Sequence, residues 1–180
     1  MRGNRSLSYG KDRMNCVEAG DIIPDLYRAD TLVMGCGNRL LGDDGFGPEV
    51  ISYLRDQCRI PEDVMLLDAG MGISRLLFDI ALSPRKPRQL IVVDTMRRGL
   101  PPGTISALSL DSIENGTQAA SAHSEPTSQL LKELRELGEM EVVMLVAEPE
   151  FMPKEVSPGL SPIMQKAVLK ASELIVQSLT

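Results

Sequence analysis

Short apolar runs alternate with segments of helical period along almost all of this 180-residue chain. The runs predicted to be strands are TLVMGC, VMLLDAG, RQLIVVDTM, GTISALSL and EVVMLVAEPE. The segments predicted to be helices are DGFGPEVISYLRDQC, ISRLLFDIALS, PTSQLLKELRELG and LSPIMQKAVLKASELIVQSL. Because strands and helices alternate, we expect a three-layer α/β fold, with a mostly parallel twisted sheet and helices on both faces.

The first part of the chain differs from the rest. Residues 1–29 are polar and lack a clear hydrophobic period, so we interpret them as an N-terminal extension. We expect a single domain over residues 30–180, and we expect the fold and the activity to survive removal of residues 1–28. Apolar residues make up 43% of the chain, which is enough for a substantial core.

Composition excludes several classes of partner. Lys and Arg number 19 against 25 Asp and Glu, a net charge of −6 that argues against nucleic acid or an anionic membrane. The three cysteines form no C-x-x-C pair, and we see neither a signal peptide nor an apolar run of membrane-spanning length. These features predict a cytoplasmic protein.

Six polar residues lie where predicted strands end or where a predicted helix is about to begin. They are Asn38, Asp43, Asp44, Asp68, Asp94 and His123. In a parallel sheet the carboxyl ends of the strands share one edge, where ligands bind. Asp94 is the most informative, because a carboxylate directly after the apolar run LIVV is costly unless it is paired or bound.

Simpler roles are open for several of these residues. Asp43 could cap the helix that follows it, and Asp68 could be an ordinary turn residue before Ala69 and Gly70. His123 could be an ordinary surface residue. Because it is the only histidine in the sequence, an all-histidine metal site is excluded. Asp44 needs a further reason, because one cap is sufficient.

The turn GCGNRLLGDDG is rich in glycine but carries two adjacent carboxylates. Its glycines suit a backbone that turns tightly and comes close to another group; they are Gly35, Gly37, Gly42 and Gly45, with Gly47 just beyond. A phosphate would be repelled by the acidic pair, whereas a cation would be attracted. Asp44, Asp94 and His123 together form a mixed oxygen and nitrogen ligand set that suits nickel or zinc and leaves coordination positions open.

At these residues the chain resembles the hydrogenase maturation endopeptidases. The family's opening motif, a strand followed by G-x-G-N and an acidic pair, is similar to MGCGNRLLGDDGFG. Its second acid and its histidine correspond to Asp94 in LIVVDTM and His123 in SAHSEPTSQLL. LLDAG and PPGTI extend the resemblance over about residues 31–178.

The segments GDDGFGPEVI, FDIALS and VSPGLS resemble the sequences of one branch of the family, which serves deazaflavin-reducing hydrogenases of methanogenic archaea. Many family members have glutamate where this chain has Asp44, so the shorter side chain would hold a metal closer to the backbone or through fewer oxygens.

The resemblance implies an aspartic-type endopeptidase that removes a C-terminal extension from the nickel-loaded large-subunit precursor of a nickel–iron hydrogenase. The nickel would be carried by the substrate, with none tightly bound to the enzyme at rest. Asp44, Asp94 and His123 would be its ligands, Asp44 and Asp94 the catalytic residues, and Gly35, Gly37, Asn38, Asp43 and Asp68 supporting residues. The sequence leaves three mechanisms of peptide-bond cleavage open. The metal could polarise the peptide carbonyl, the metal could activate a water, or one aspartate could act as a general base.

Three other interpretations compete. Cys36 could be a nucleophile with His123 as its base, although it lies between two glycines at the end of a buried strand. The chain could also be a nickel-sensing chaperone without proteolytic activity. It could instead be a Rossmann-type nucleotide-binding module, but the two carboxylates in the glycine-rich turn disfavour nucleotide binding.

Overall fold

The computed structural model describes residues 29–110, 130–136 and 140–179. Its strands are β1 (Thr31–Cys36), β2 (Val64–Gly70), β3 (Gln89–Thr95), β4 (Ile105–Ser109) and β5 (Glu141–Ala147). Its helices are a short 3-10 helix (Gly42–Gly45), α1 (Phe46–Gln57), α2 (Ile73–Leu82) and α3 (Pro162–Ser178). Residues 130–136 are also helical, and they fall within the predicted helix PTSQLLKELRELG.

The five described strands form one sheet in the order β2-β1-β3-β5-β4. β1 pairs in parallel with β2 and β3, β3 pairs in parallel with β5, and β4 is antiparallel at the edge. The chain crosses from β2 over β1 to β3, so β1 lies between the two strands that follow it in sequence. This arrangement confirms the mostly parallel α/β fold, and it places the predicted strand GTISALSL at an edge of the sheet.

The sheet separates two aliphatic cores. Alternate residues of β1 point to opposite faces, with Leu32 and Met34 on one side and Val33 on the other. The first side packs against α2 and the helical residues 130–136, and the second packs against α1 and α3. Helices therefore cover both faces, as predicted, and strands β1 and β3 are buried on both sides.

Two glycines allow α1 to lie directly on the sheet. A Cβ on Gly35 would overlap the carbonyl of Gly47, and a Cβ on Gly47 would overlap the carbonyls of Cys36 and Val93. Side chains at either position would push the start of α1 away from the carboxyl ends of β1 and β3. The glycines of the opening motif therefore serve close packing of strand and helix, which brings the acidic pair to the rim of the sheet.

Some sequence predictions fall at the limits of the described residues. Of the proposed extension, only Ala29 is described, and it is buried. His123, like the rest of residues 111–129, lies outside the described part of the chain. No helix in the part of the chain that the structure describes is long and apolar enough to cross a membrane.

Candidate functional site

Asp44 follows strand β1, Asp94 is the second-last residue of the adjacent strand β3, and both are buried. Asp44 belongs to the 3-10 helix and accepts a hydrogen bond at 2.8 Å from the backbone N–H of Asn38 to its Oδ2. The hydroxyl of Thr95 lies 3.5 Å from the other carboxylate oxygen. The carboxylate is thus oriented by one backbone donor and one side-chain donor.

Asp94 belongs to β3, which is buried on both faces, and is only 6% exposed. Burial, with a smaller contribution from the nearby charge of Asp44, raises its pKa to about 7, although the Thr95 N–H at 2.7 Å favours the ionised form. Within the described residues, no Lys or Arg forms an ion pair with Asp44 or Asp94. Two buried carboxylates without a cation are an arrangement that a bound metal ion would stabilise.

Cys36 lies at the same rim but is unsuited to nucleophilic attack. Its side chain is 1% exposed, and burial raises the pKa of its thiol well above the usual value. The charges of Asp94, Asp68 and Asp44 raise the pKa further, so the thiolate is disfavoured from every side. The geometry argues against Cys36 as a nucleophile. Cys36 is instead a small buried side chain that packs in the core at the end of β1.

Asp43 has a different role from the helix cap considered above. Gly45 is the N-cap of α1, and no side chain caps either this helix or the 3-10 helix before it. Asp43 is instead fully buried and accepts hydrogen bonds from the N–H groups of Glu150, Phe151 and Ser161 at 2.7–2.9 Å. The cap interpretation was wrong because a buried carboxylate satisfies long-range donors that local spacing does not reveal.

Ser161 donates its hydroxyl to Asp43 as well, at 3.0 Å. Ser161 does occupy the N-cap position of α3, with Pro162 next, but its side chain does not cap that helix. Asp43 thus ties the loop after β5 and the start of α3 to the 3-10 helix that carries Asp44.

Gly37 and Asn38 shape the turn around Asp44. Gly37 has a φ of +118°, and a Cβ there would overlap the carbonyl oxygen of Asp44, so only glycine fits. The side-chain oxygen of Asn38 accepts a 3.0 Å hydrogen bond from the N–H of Leu40, and its Nδ2 lies 3.5 Å from the sulfur of Met71. Both residues act on the path of the backbone at this rim.

Asp68 at the end of β2 combines a turn role with an ion pair. Its Oδ1 accepts a 3.2 Å hydrogen bond from the N–H of Gly70, which matches the turn interpretation. Its Oδ2 lies 3.4 Å from Arg39, whose guanidinium also contacts Glu49 and the carbonyl of Pro48. Arg39 therefore joins the turn after β1 to β2 and α1.

Sequence reasoning missed Arg39, Thr95 and Glu148. Glu148 follows β5 directly, is 7% exposed, and accepts hydrogen bonds from the N–H groups of Arg98 and Gly99. It thereby holds the loop after β3 beside the site. Its position directly after an apolar strand, like that of Asp94, was the signal that could have identified it.

The proposed metal triad is only partly described. Within residues 29–110, 130–136 and 140–179 no group of three or more His, Cys, Asp and Glu is arranged to hold a metal ion. The third proposed ligand, His123, lies outside these ranges. The ligand set of Asp44, Asp94 and His123 therefore stays a prediction, with the two carboxylates at adjacent strand ends.

Comparison with known proteins identifies the family. A family model described as hydrogenase maturation protease matches residues 48–178, well over half of the chain. The chain belongs to the hydrogenase maturation proteases. This membership confirms the resemblance found in the opening motif, and it establishes the protein as an endopeptidase of hydrogenase maturation.

Individual relatives of the protease agree with this assignment. The coenzyme F420 hydrogenase subunit delta of Methanothermobacter thermautotrophicus is 37% identical over 158 residues, covering 85% of this chain and 96% of the relative. The hydrogenase 2 maturation protease of Escherichia coli is 28% identical over 152 residues, covering 82% and 89% respectively. The first relative comes from the methanogen branch that the sequence resemblance indicated.

A solved structure supports the fold of the protease. The hydrogenase maturating endopeptidase HybD from E. coli superposes with a TM-score of 0.68 at 26% identity. The superposition covers 83% of this chain and 91% of that one.

Proposed function

We propose that this protease removes a C-terminal extension from the nickel-loaded large-subunit precursor of a nickel–iron hydrogenase. Asp44, Asp94 and His123 would contribute ligands to nickel that the precursor brings with it. The observation that carries the proposal is the pair of buried carboxylates at adjacent strand ends, with no cationic side chain against either among the described residues.

The donor set fits a nickel ion that is shared with a substrate. Oxygen and imidazole ligands accept a borderline divalent cation, and the remaining positions can be filled by thiolates of the precursor. Because the pKa of Asp94 is raised to about 7, a proton competes with the cation at this carboxylate near neutral pH. The enzyme alone would therefore hold nickel weakly, and its recognition would be weaker below pH 7.

Recognition through nickel explains how premature cleavage would be avoided. A precursor without nickel cannot form the coordination bonds to Asp44, Asp94 and His123. Each ~1.4 kcal/mol of lost binding free energy lowers affinity tenfold, so a few kcal/mol separate loaded from empty precursor by orders of magnitude. The extension would then be removed only after metal insertion.

The carboxylates can also take part in cleavage of the peptide bond. A carboxyl group with a pKa near 7 exchanges protons readily at neutral pH, which suits Asp94 to general-base or general-acid action. Asp44 is held by the N–H of Asn38 and faces the same rim. We assign both aspartates to the catalytic machinery.

The relative named coenzyme F420 hydrogenase subunit delta suggests the substrate. Coenzyme F420 is a deazaflavin, and we propose that the precursor belongs to a hydrogenase of this type. The net charge of −6 argues against nucleic acid or an anionic membrane as partner. We propose that the protease acts on its protein substrate in the cytoplasm.

The decisive experiment is incubation with purified F420-hydrogenase precursor, with and without nickel, followed by mass spectrometry of the precursor's C-terminus. We expect shortening of the nickel-loaded precursor alone. Asp44→Ala, Asp94→Ala and His123→Ala should each abolish it, whereas Asp56→Ala, at an exposed position near the far end of α1, should retain it. Full activity of His123→Ala would remove the proposed ligand set.

Metal analysis separates this mechanism from ordinary metal-ion catalysis. We expect little nickel or zinc in the purified protein, and no cleavage of an unrelated protein such as casein when nickel is added. A tightly held stoichiometric metal ion, together with cleavage of metal-free precursor, would replace recognition of the substrate's nickel by a resident catalytic metal.

A further inference from the structure

Three apolar residues are exposed to solvent on loops that are hydrogen-bonded to one another around the acidic pair. Leu40 and Phe151 are each 51% exposed, and Val156 is 71% exposed. Leu40 lies in the turn after β1, and the other two lie in the loop between β5 and α3. We call these three residues the apolar rim.

Backbone hydrogen bonds hold the two loops of the apolar rim together. The N–H of Ser157 donates to the carbonyl of Leu40 at 2.8 Å, and the N–H of Gly42 donates to the carbonyl of Ser157 at 2.9 Å. Leu41 and Ser157 form a parallel β-bridge. Leu40 and Val156 are therefore joined through neighbouring residues of a small paired segment.

Both backbone polar groups of Phe151 are hydrogen-bonded to Asp43. Its N–H donates to the buried carboxylate of Asp43 at 2.7 Å, and its carbonyl accepts the N–H of Asp43 at 3.0 Å. Gly42 has a φ of +59°, and a Cβ on it would lie 2.8 Å from the Phe151 carbonyl oxygen and 3.2 Å from the ring. The aromatic ring thus lies directly over Gly42, in a place that only glycine leaves open.

A surface ordered in this way binds a partner at low entropic cost, because its loops are already held in position. Exposed aromatic and aliphatic side chains beside a reactive site are typical of contact points for a partner. The apolar rim is also continuous with the candidate site, since Leu40 and Asp44 flank the same short segment and Asp43 joins that segment to Phe151. A peptidase must hold a polypeptide at this place.

We propose that the apolar rim of Leu40, Phe151 and Val156 is a docking surface for an apolar segment of the precursor polypeptide beside the bond that is cut. This inference rests on the proposed function and assigns to the rim a share of substrate recognition that does not depend on nickel. Nickel would report that the precursor is loaded, and the rim would hold its chain in place.

The test is steady-state cleavage of nickel-loaded F420-hydrogenase precursor by Phe151→Ser and Val156→Ser. Both side chains are at least half exposed, so we expect both variants to fold, which far-UV circular dichroism checks. Loss of an apolar docking contact should raise KM about tenfold with kcat within about twofold of wild type. Leu174→Ser is the matched control, because Leu174 is 40% exposed on α3 and lies about 20 Å along that helix from Ser161.

Each possible result of these measurements supports or overturns either the docking surface or the proposed function. A raised KM for both rim variants and an unchanged KM for the control supports the docking surface. Unchanged kcat/KM for folded rim variants, when the wild-type enzyme cuts the precursor, overturns it and leaves the proposed function intact. A wild-type dimer in light scattering that both rim variants convert to monomers, with kcat/KM unchanged, assigns the rim to self-association. Failure of the wild-type enzyme to cut the precursor overturns the proposed function itself.

Discussion

Asp43 and Ser161 are 118 positions apart in sequence, yet the carboxylate of Asp43 accepts both the N–H of Ser161 at 2.7 Å and its hydroxyl at 3.0 Å. The same carboxylate accepts the N–H groups of Glu150 and Phe151. One residue of the acidic pair thus anchors the loop that frames the site, while its neighbour Asp44 faces the rim. This division explains why two adjacent aspartates are present.

Asp43→Asn tests the anchoring role. An amide has one acceptor oxygen and would turn its NH₂ group toward at least one of the backbone donors, leaving a buried N–H unpaired. We expect the free energy of unfolding to fall by about 2–4 kcal/mol, and cleavage of the precursor to fall with it. Urea denaturation followed by far-UV circular dichroism measures the first effect.

Asp56→Asn is the control for Asp43→Asn, because it removes the same charge from an exposed position on α1. Its effect should stay within about 0.5 kcal/mol of zero. Equal stabilities of the two variants would show that Asp43 contributes no more than a surface charge.

The sheet was predictable from sequence because buried parallel strands leave short aliphatic runs, and the helices between them keep a clear period. Asp94 was identified for the same reason, since a carboxylate directly after an aliphatic run is physically conspicuous. These are local signals, and each can be read from fewer than ten neighbouring residues.

The contacts that complete the site are not local. Asp43 meets its donors 107–118 positions away, and Glu148 meets the N–H groups of residues 98 and 99 at a separation of about 50. The tight turn at Gly37 and the fully buried 3-10 helix decide which of the two adjacent carboxylates lies at the rim and which anchors the loop after β5. Such contacts follow from tertiary packing, so local spacing gave the wrong role for Asp43.

Cys36→Ser should leave activity nearly intact. Its thiol is buried and kept protonated because burial and three carboxylates raise its pKa. We expect kcat/KM within about threefold of wild type, since serine changes volume little but buries a more polar group. Peptide mapping after iodoacetamide treatment of the native protein should find Cys36 unmodified. Inactivation by the substitution, with the fold intact, would restore the nucleophile hypothesis.

Ser172→Ala should stabilise the protein. The hydroxyl of Ser172 is fully buried in α3 and has no hydrogen-bond partner within the described structure. Alanine removes this unpaired polar group and favours the helix, so we expect a gain of about 1–2 kcal/mol in thermal or urea unfolding. Ser178→Ala is the control, because the Ser178 hydroxyl donates to the carbonyl of Ile175 and should show no such gain. A loss of stability in Ser172→Ala would contradict the argument.

Asp94 should make the protein less stable as pH rises. Its pKa is about 7 in the folded chain, mainly through burial, against an ordinary value near 3.8. Between these values the folded state keeps a proton that the unfolded state has released. Stability from this group is therefore complete below about pH 4, and is lost as pH rises to and through 7. The full loss for this one group is at most roughly 4 kcal/mol.

Asp94→Asn removes this dependence, because the amide is close in shape and stays neutral. We expect the variant to match wild type near pH 3.5 and to exceed its free energy of unfolding by about 2–4 kcal/mol at pH 8. The measurement is urea unfolding of both proteins at half-unit steps of pH, taking the difference at each step so that common titrations cancel. Since the same substitution should abolish cleavage of the precursor, the variant would be more stable and inactive. A difference that stays constant from pH 3.5 to 8 would show that Asp94 is ionised throughout in the folded protein.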